Sequence, residues 1–106
     1  MSNAKEKVIK FRHYNCVMKT AHYHNGNNAL QFIDADNGEP ILTASINPGI
    51  ELPPHLLAVK DYSENVGVAK CLADNGIIGK RVAVIPSGWI KIGVYELTDE
   101  GKELFV

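Results

Sequence analysis

Lys60-Asp61-Tyr62-Ser63-Glu64-Asn65-Val66-Gly67-Val68-Ala69-Lys70-Cys71-Leu72-Ala73-Asp74-Asn75-Gly76 decides the fold class, because its apolar residues recur at helical spacing. Val68, Cys71 and Leu72 stand at i, i+3 and i+4, with Ala69 beside them, which puts them on one face of a helix. Asp61-Tyr62-Ser63-Glu64 has the form of a capping box, with Asp61 set to accept from the amide of Glu64 and Ser63 as the alternative N-cap. Gly76 can take the left-handed conformation just past the helix end, and Ile77 then folds back onto Leu72 as a Schellman ending requires. The spacing predicts a helix of three to four turns. A helix that short is held by tertiary packing rather than by its own propensity.

Outward from this helix, the apolar residues alternate. From Val8 to Met18, Ile9 and Phe11 alternate with Lys10 and Arg12, the period of a strand with one wet face, and the strand extends towards Ala21 and Tyr23. Asn25-Gly26-Asn27-Asn28 is turn chemistry, since Asn and Gly tolerate positive φ. Ala29 to Ile33 reads as the next strand, Asn37-Gly38 as a hairpin turn, and Ile41 to Ile46 as a third strand completing a meander. Asn47-Pro48-Gly49 turns the chain, and Leu52-Pro53-Pro54 is extended because proline fixes its own φ and restricts its predecessor. His55 to Lys60 is then a short strand, placed at a sheet edge by the prolines before it. Beyond the helix, Arg81 to Ile85 is a strand, Pro86-Ser87-Gly88 a turn, and Trp89 to Leu97 the return. On that return strand Ile90, Ile92 and Val94 line one face while Trp89, Lys91, Tyr95 and Leu97 line the other. The expected architecture is α+β, a mostly antiparallel sheet or half-barrel in the order β-β-β-β-α-β-β, with one helix packed on one face.

The chain has 106 residues, 45% of them hydrophobic and 22% charged, which fits one globular domain. Positions 1–7 read as a disordered N-terminus and 8–106 as a single α+β domain. No apolar run reaches the roughly 18 residues of a membrane span. Met1 to Lys10 holds lysines without a following apolar stretch, unlike a signal peptide. Cys16 falls on a strand and Cys71 on the helix, so two unpaired thiols in a reducing, cytoplasmic setting are expected rather than a disulfide. The net charge of −1 argues against strong attraction to nucleic acid or an anionic membrane. Basic residues nevertheless concentrate in the first 24 positions and acids in 25–64, blocks that paired strands interleave and neutralise.

Candidate chemistry is sparse. His22-Tyr23-His24 on an extended segment directs two imidazoles to one face, with His13 and Cys16 upstream; zinc needs three or four such ligands converging at about 2.0–2.3 Å. Asp36 is accounted for by the turn it begins, and Asp61 and Glu64 by helix capping. Gly76-Ile77-Ile78-Gly79-Lys80-Arg81 fails as a Walker loop, having two residues between its glycines, and fails as a KH loop, having one helical flank. Cys16 and His13 lie on opposite strand faces, poor geometry for activating a thiol. Trp89 is a candidate interface anchor, although the burial habit of Trp favours a hydrophobic lid on the helix.

The block Leu56-Leu57-Ala58-Val59-Lys60-Asp61-Tyr62-Ser63-Glu64-Asn65, the following Asn75-Gly76-Ile77-Ile78 and the later run Ile85-Pro86-Ser87-Gly88-Trp89-Ile90-Lys91-Ile92-Gly93-Val94-Tyr95 carry a resemblance. Together they resemble a family of small proteins of unknown function carried by phages, plasmids and integrated mobile elements. The likeness runs from about Ile41 to Leu97. The chain departs from it with Val66 and Val68, where Glu and Met are usual. The resemblance implies a mobile-element setting and no catalytic mechanism. It leads to the expectation of a non-enzymatic accessory protein that binds a host or phage macromolecule. A protein is the expected partner, with no cofactor, nucleic acid or membrane. The expected contact surface comprises Asp61, Tyr62, Ser63, Glu64 and Asn65, with Trp89 as a further anchor. Two alternatives compete: a small metal-binding protein or enzyme using His13, His22 and His24, and a weak nucleic-acid-binding module using Lys5 to Lys19.

Overall fold

A computed structural model describes residues 7–105. Among these residues seven strands fall into two antiparallel sheets: β1 (Val8–Phe11), β2 (Tyr14–His22), β3 (Asn28–Asp34) and β4 (Pro40–Thr43) in the order β1-β2-β3-β4, and β5 (Leu56–Val59), β6 (Ile78–Ser87) and β7 (Ile90–Leu97) in the order β5-β7-β6. Two short helices accompany them, α1 (Val68–Asp74) and α2 (Asp99–Leu104). The fold is thus α+β and mostly antiparallel. The sheets meet where Ser45 bridges Val59, with Ile46 N donating to Ala58 O and Lys60 N to Ala44 O. The barrel stays open. No helix among the described residues is long and apolar enough to cross a membrane. Positions 1–6 of the expected disordered N-terminus lie outside the described residues; Lys7 is described, its ammonium donating to Asn75 O and pairing with Glu100.

Two elements refine the expected order. The first long strand is in fact a hairpin, β1 and β2, closed by Phe11↔Tyr14 around Arg12-His13. Arg12 sits at φ 56°, a conformation most side chains avoid, and no Gly or Asn marks it. Its guanidinium supplies the compensation, donating to Glu64 O at 2.8 Å and Val66 O at 3.1 Å. At the other end α2 follows Thr98, whose side chain accepts from Gly101 N at 3.0 Å as an N-cap, with Asp99 and Glu100 in the first turn favouring the helix dipole.

The Asn-Gly turns form as local chemistry dictates. Gly26 and Gly38 hold positive φ, Gly26 N donating to Tyr23 O and Gly38 N to Asp34 O. The main core lies between the four-stranded sheet, α1 and the near face of the second sheet, and contains Ile9, Phe11, Cys16, Met18, Leu30, Phe32, Leu57, Val59, Leu72, Ile77 and Leu104. Val68, Ala69, Cys71 and Leu72 are the buried face of α1, as the spacing predicts. Its ending is a Schellman motif: Ile77 N donates to Leu72 O, Gly76 N to Ala73 O, and Ile77 is fully buried. A second small core on the far side of β7 joins Ala58, Ile92 and Val94 to Ile46, Leu52, Leu56, Ile85 and Ile90. Both faces of β7 are therefore covered in part. β5 is an edge strand of its own sheet, met on its free side by the Ser45 bridge and by Asn28, which donates to Leu56 O.

Candidate functional site

The polar block at 61–65 is tied into the fold. Ser63–Asn65 forms a single 3-10 turn, with Ser63 at φ 58°, and α1 begins only at Val68 behind Gly67 at φ 101°. This corrects the expected capping box and the expected helix length. Asp61 accepts from the amide of Gly67 at 2.7 Å, not from that of Glu64, because the 3-10 turn and the glycine re-aim the chain before the helix starts. Asn65 is buried and donates to Thr43 O at 2.7 Å. Glu64 accepts from Lys60 Nζ at 2.9 Å, and this hydrogen bond, with help from Ser63, holds its carboxyl down at about 2. Lys60 in turn is raised, chiefly by the same bond, and its ammonium lies 5.8 Å from the ring centre of half-buried Tyr62.

The histidines do not converge. His13 stands in the β1–β2 turn, its ring 4.1 Å from that of Tyr14. His22 ends β2 nine residues later, edge-on to Phe105 at 6.2 Å. At about 3.3 Å per residue that strand sets the two backbones up to roughly 30 Å apart, far beyond shared metal ligation. His24 lies in the following turn rather than beside His22 on a strand. Among the described residues no three His, Cys, Asp or Glu side chains are grouped to hold a metal. His22 instead shares a shallow depression with Asn28, Pro54, His55, Lys102 and Phe105. The two cysteines are free and buried, and burial pushes both thiols up, Cys16 further raised by neighbouring Cys71 and Cys71 by Asp74.

An asparagine network was not legible as such in the sequence. Asn27, buried, donates to Asn47 Oδ1 and Ile50 O and accepts from Leu52 N, while Asn28 donates to Pro54 O and Leu56 O. Ser45, also buried, accepts from Leu30 N and is 3.0 Å from the Tyr23 hydroxyl. These bonds pin the 46–56 connection over the second core. Asn25-Gly26-Asn27-Asn28 read as turn chemistry alone because their partners lie some 20 or more residues away.

What remains open is the β6–β7 hairpin. Ser87 pairs with Ile90 across the two-residue turn Gly88-Trp89, and Gly88 at φ 60° takes the first central position, as a type II′ turn favours. The turn thus falls one residue later than expected. Pro86 stays inside β6, opposite Lys91. Trp89, at the tip, is fully exposed at 105%, which overturns its expected role as a lid on the helix: the hairpin carries it away from α1, and Ile85 and Ile90, not Trp89, meet the second core. Behind it Val82 and Val84 are 41% and 42% exposed. Arg81, Val84, Pro86, Lys91 and Gly93 line an open depression of about 420 Å³ on the same hairpin. A Cβ at Gly93 would press against the Tyr95 ring at 2.9 Å, so that ring would have to shift to admit one.

Comparison with known protein families, curated proteins and solved structures finds no match to this chain.

Proposed function

We propose that this chain is a non-enzymatic accessory protein of a phage or mobile element, acting in the host cytoplasm by binding a partner protein through the β6–β7 hairpin. The observation that carries the reading is Trp89, an indole left wholly in water at a turn tip, with Val82 and Val84 also exposed further along the same hairpin. Trp is among the commonest energetic anchors of protein interfaces, and a large indole left in water on a small domain is the kind of apolar exposure that marks an interaction surface. The mobile-element setting rests on the resemblance over Ile41 to Leu97, and the cytoplasmic one on the two unpaired thiols. The polar block at 61–65, with Asp61, Glu64 and Asn65 already hydrogen-bonded within the chain, takes a structural part and leaves the hairpin as the contact surface.

The test is affinity capture from bacterial lysate with the full chain and with Trp89→Ala. The full chain is expected to retain a protein at near-stoichiometric yield. The variant should lose at least about 2 kcal/mol of binding, roughly thirtyfold in affinity, with its melting temperature unchanged. Retention of the same partner at equal affinity by Trp89→Ala would remove the hairpin from the interface.

A further inference from the structure

We infer that the hairpin receives its partner as an added β-strand, an extended acidic segment laid along the outer edge of β6; this rests on the proposed docking through the same hairpin. β6 spans ten residues and is the outer strand of its sheet, with nearly every residue exposed from Gly79 onward. Across the two-residue turn, Ser87, Ile85 and Ala83 face Ile90, Ile92 and Val94, so their backbone groups alternate inward. Val84 then directs its N–H and C=O outward and Pro86 its C=O, which is why a proline is tolerated near the end of the strand, while the register shift between Arg81 and Ala83 bounds this open stretch on the other side. An open edge of this kind is a template for strand addition, in which main-chain bonds supply affinity and flanking side chains supply specificity.

Charge selects the occupant. Between Ile78 and Tyr95 the chain carries Lys80, Arg81 and Lys91 and no acid. All three cations are exposed, and none is in a salt bridge among the described residues. A second β6 is disfavoured at this edge: laid parallel, it would set Lys80 and Arg81 beside their own copies. Laid antiparallel about Val84, it would set Pro86, which lacks an N–H, opposite Val82. An acidic strand replaces the like-charge contact with opposite charge and brings no second proline to the edge, where Pro86 offers a carbonyl only, and its apolar positions can reach Val84 and Trp89.

Selection from a displayed library of random peptides against the full chain is the experiment, followed by amide chemical-shift mapping with the best peptide. Enriched peptides should carry Asp or Glu at alternating positions and shift the amides of Val82 and Val84. Their affinity should fall at least about tenfold in Val84→Pro, which removes an outward N–H, and in Arg81→Glu/Lys91→Glu, which preserves the backbone should the proline variant misfold. Peptides without acidic excess, shifts confined elsewhere, or a dimer that protects the β6 amides would overturn strand addition. If Trp89→Ala loses the lysate partner while acidic peptides fail to bind, docking at the hairpin stands and its acidic-strand form falls. If peptides bind β6 but Trp89→Ala keeps the partner, the docking assignment falls instead.

Discussion

Glu64 shows how a fully exposed side chain is still organised by its neighbours. Its carboxyl is held at about 2, below the ordinary Glu value, first by the Lys60 hydrogen bond. A depressed folded pKa stabilises the native state above the unfolded value, and that contribution is lost as pH falls from about 4.3 towards 2. Solvent screening keeps the effect on overall stability small. Titration followed by NMR should place the Glu64 midpoint near the low value, and Lys60→Met should raise it towards the ordinary carboxylate range, with Ser63 still holding it partly down. Cys16 and Cys71 present the opposite case, thiols pushed up by burial. Thiolate is the reactive form, so neither cysteine should be alkylated by iodoacetamide at mildly alkaline pH in the folded protein. Both should react at once in denaturant, and mass spectrometry reads the difference.

At the scale of elements, α1 has only two turns and its N-cap, Gly67, has no side chain to cap it, so its place is set by what holds its two ends. The C-terminal end is held by the Schellman bonds. The N-terminal approach is held by Asp61 on the Gly67 amide, by Arg12 on the carbonyls of Glu64 and Val66, and by Asn65 on Thr43 O. Asn65→Ala removes a buried donor and leaves that carbonyl without it, a loss of about 1–3 kcal/mol that thermal melting should register as several degrees. The α2 helix is seated as closely: a Cβ on buried Gly101 would overlap the carbonyl of Ile77. Gly101→Ala should therefore force α2 off the chain end of α1, lowering the melting temperature by more than an ordinary exposed Gly→Ala exchange, which stays within about 1 kcal/mol.

Over the whole molecule, stability and recognition occupy different places. The main core joins the four-stranded sheet, α1, α2 and the inner parts of β5, β6 and β7, whereas the tip of the β6–β7 hairpin touches only the second core. Trp89→Ala should consequently leave stability within about 0.5 kcal/mol of the parent, as expected for a surface position. A denaturant titration checks this independently of any partner. A marked destabilisation would mean that the indole packs against the body in solution.

Turns and periodicities were readable from the chain alone, because they depend on a residue and its nearest neighbours. Asn37-Gly38 supports positive φ by itself, Val68, Cys71 and Leu72 share a face by spacing, and Gly76 ends a helix by lacking a Cβ. The antiparallel α+β class follows from such local signals. Where the answer depended on a distant partner, only the tertiary structure decided it. Arg12 turns a hairpin without glycine because carbonyls more than 50 residues away hold its guanidinium. Asp61 caps an amide beyond an intervening 3-10 turn, the asparagines anchor a remote connection, and Trp89 is exposed because, among the described residues, its strand pair extends past the elements that form the two cores. Backbone preference is local, whereas burial and hydrogen-bond pairing belong to the packed chain.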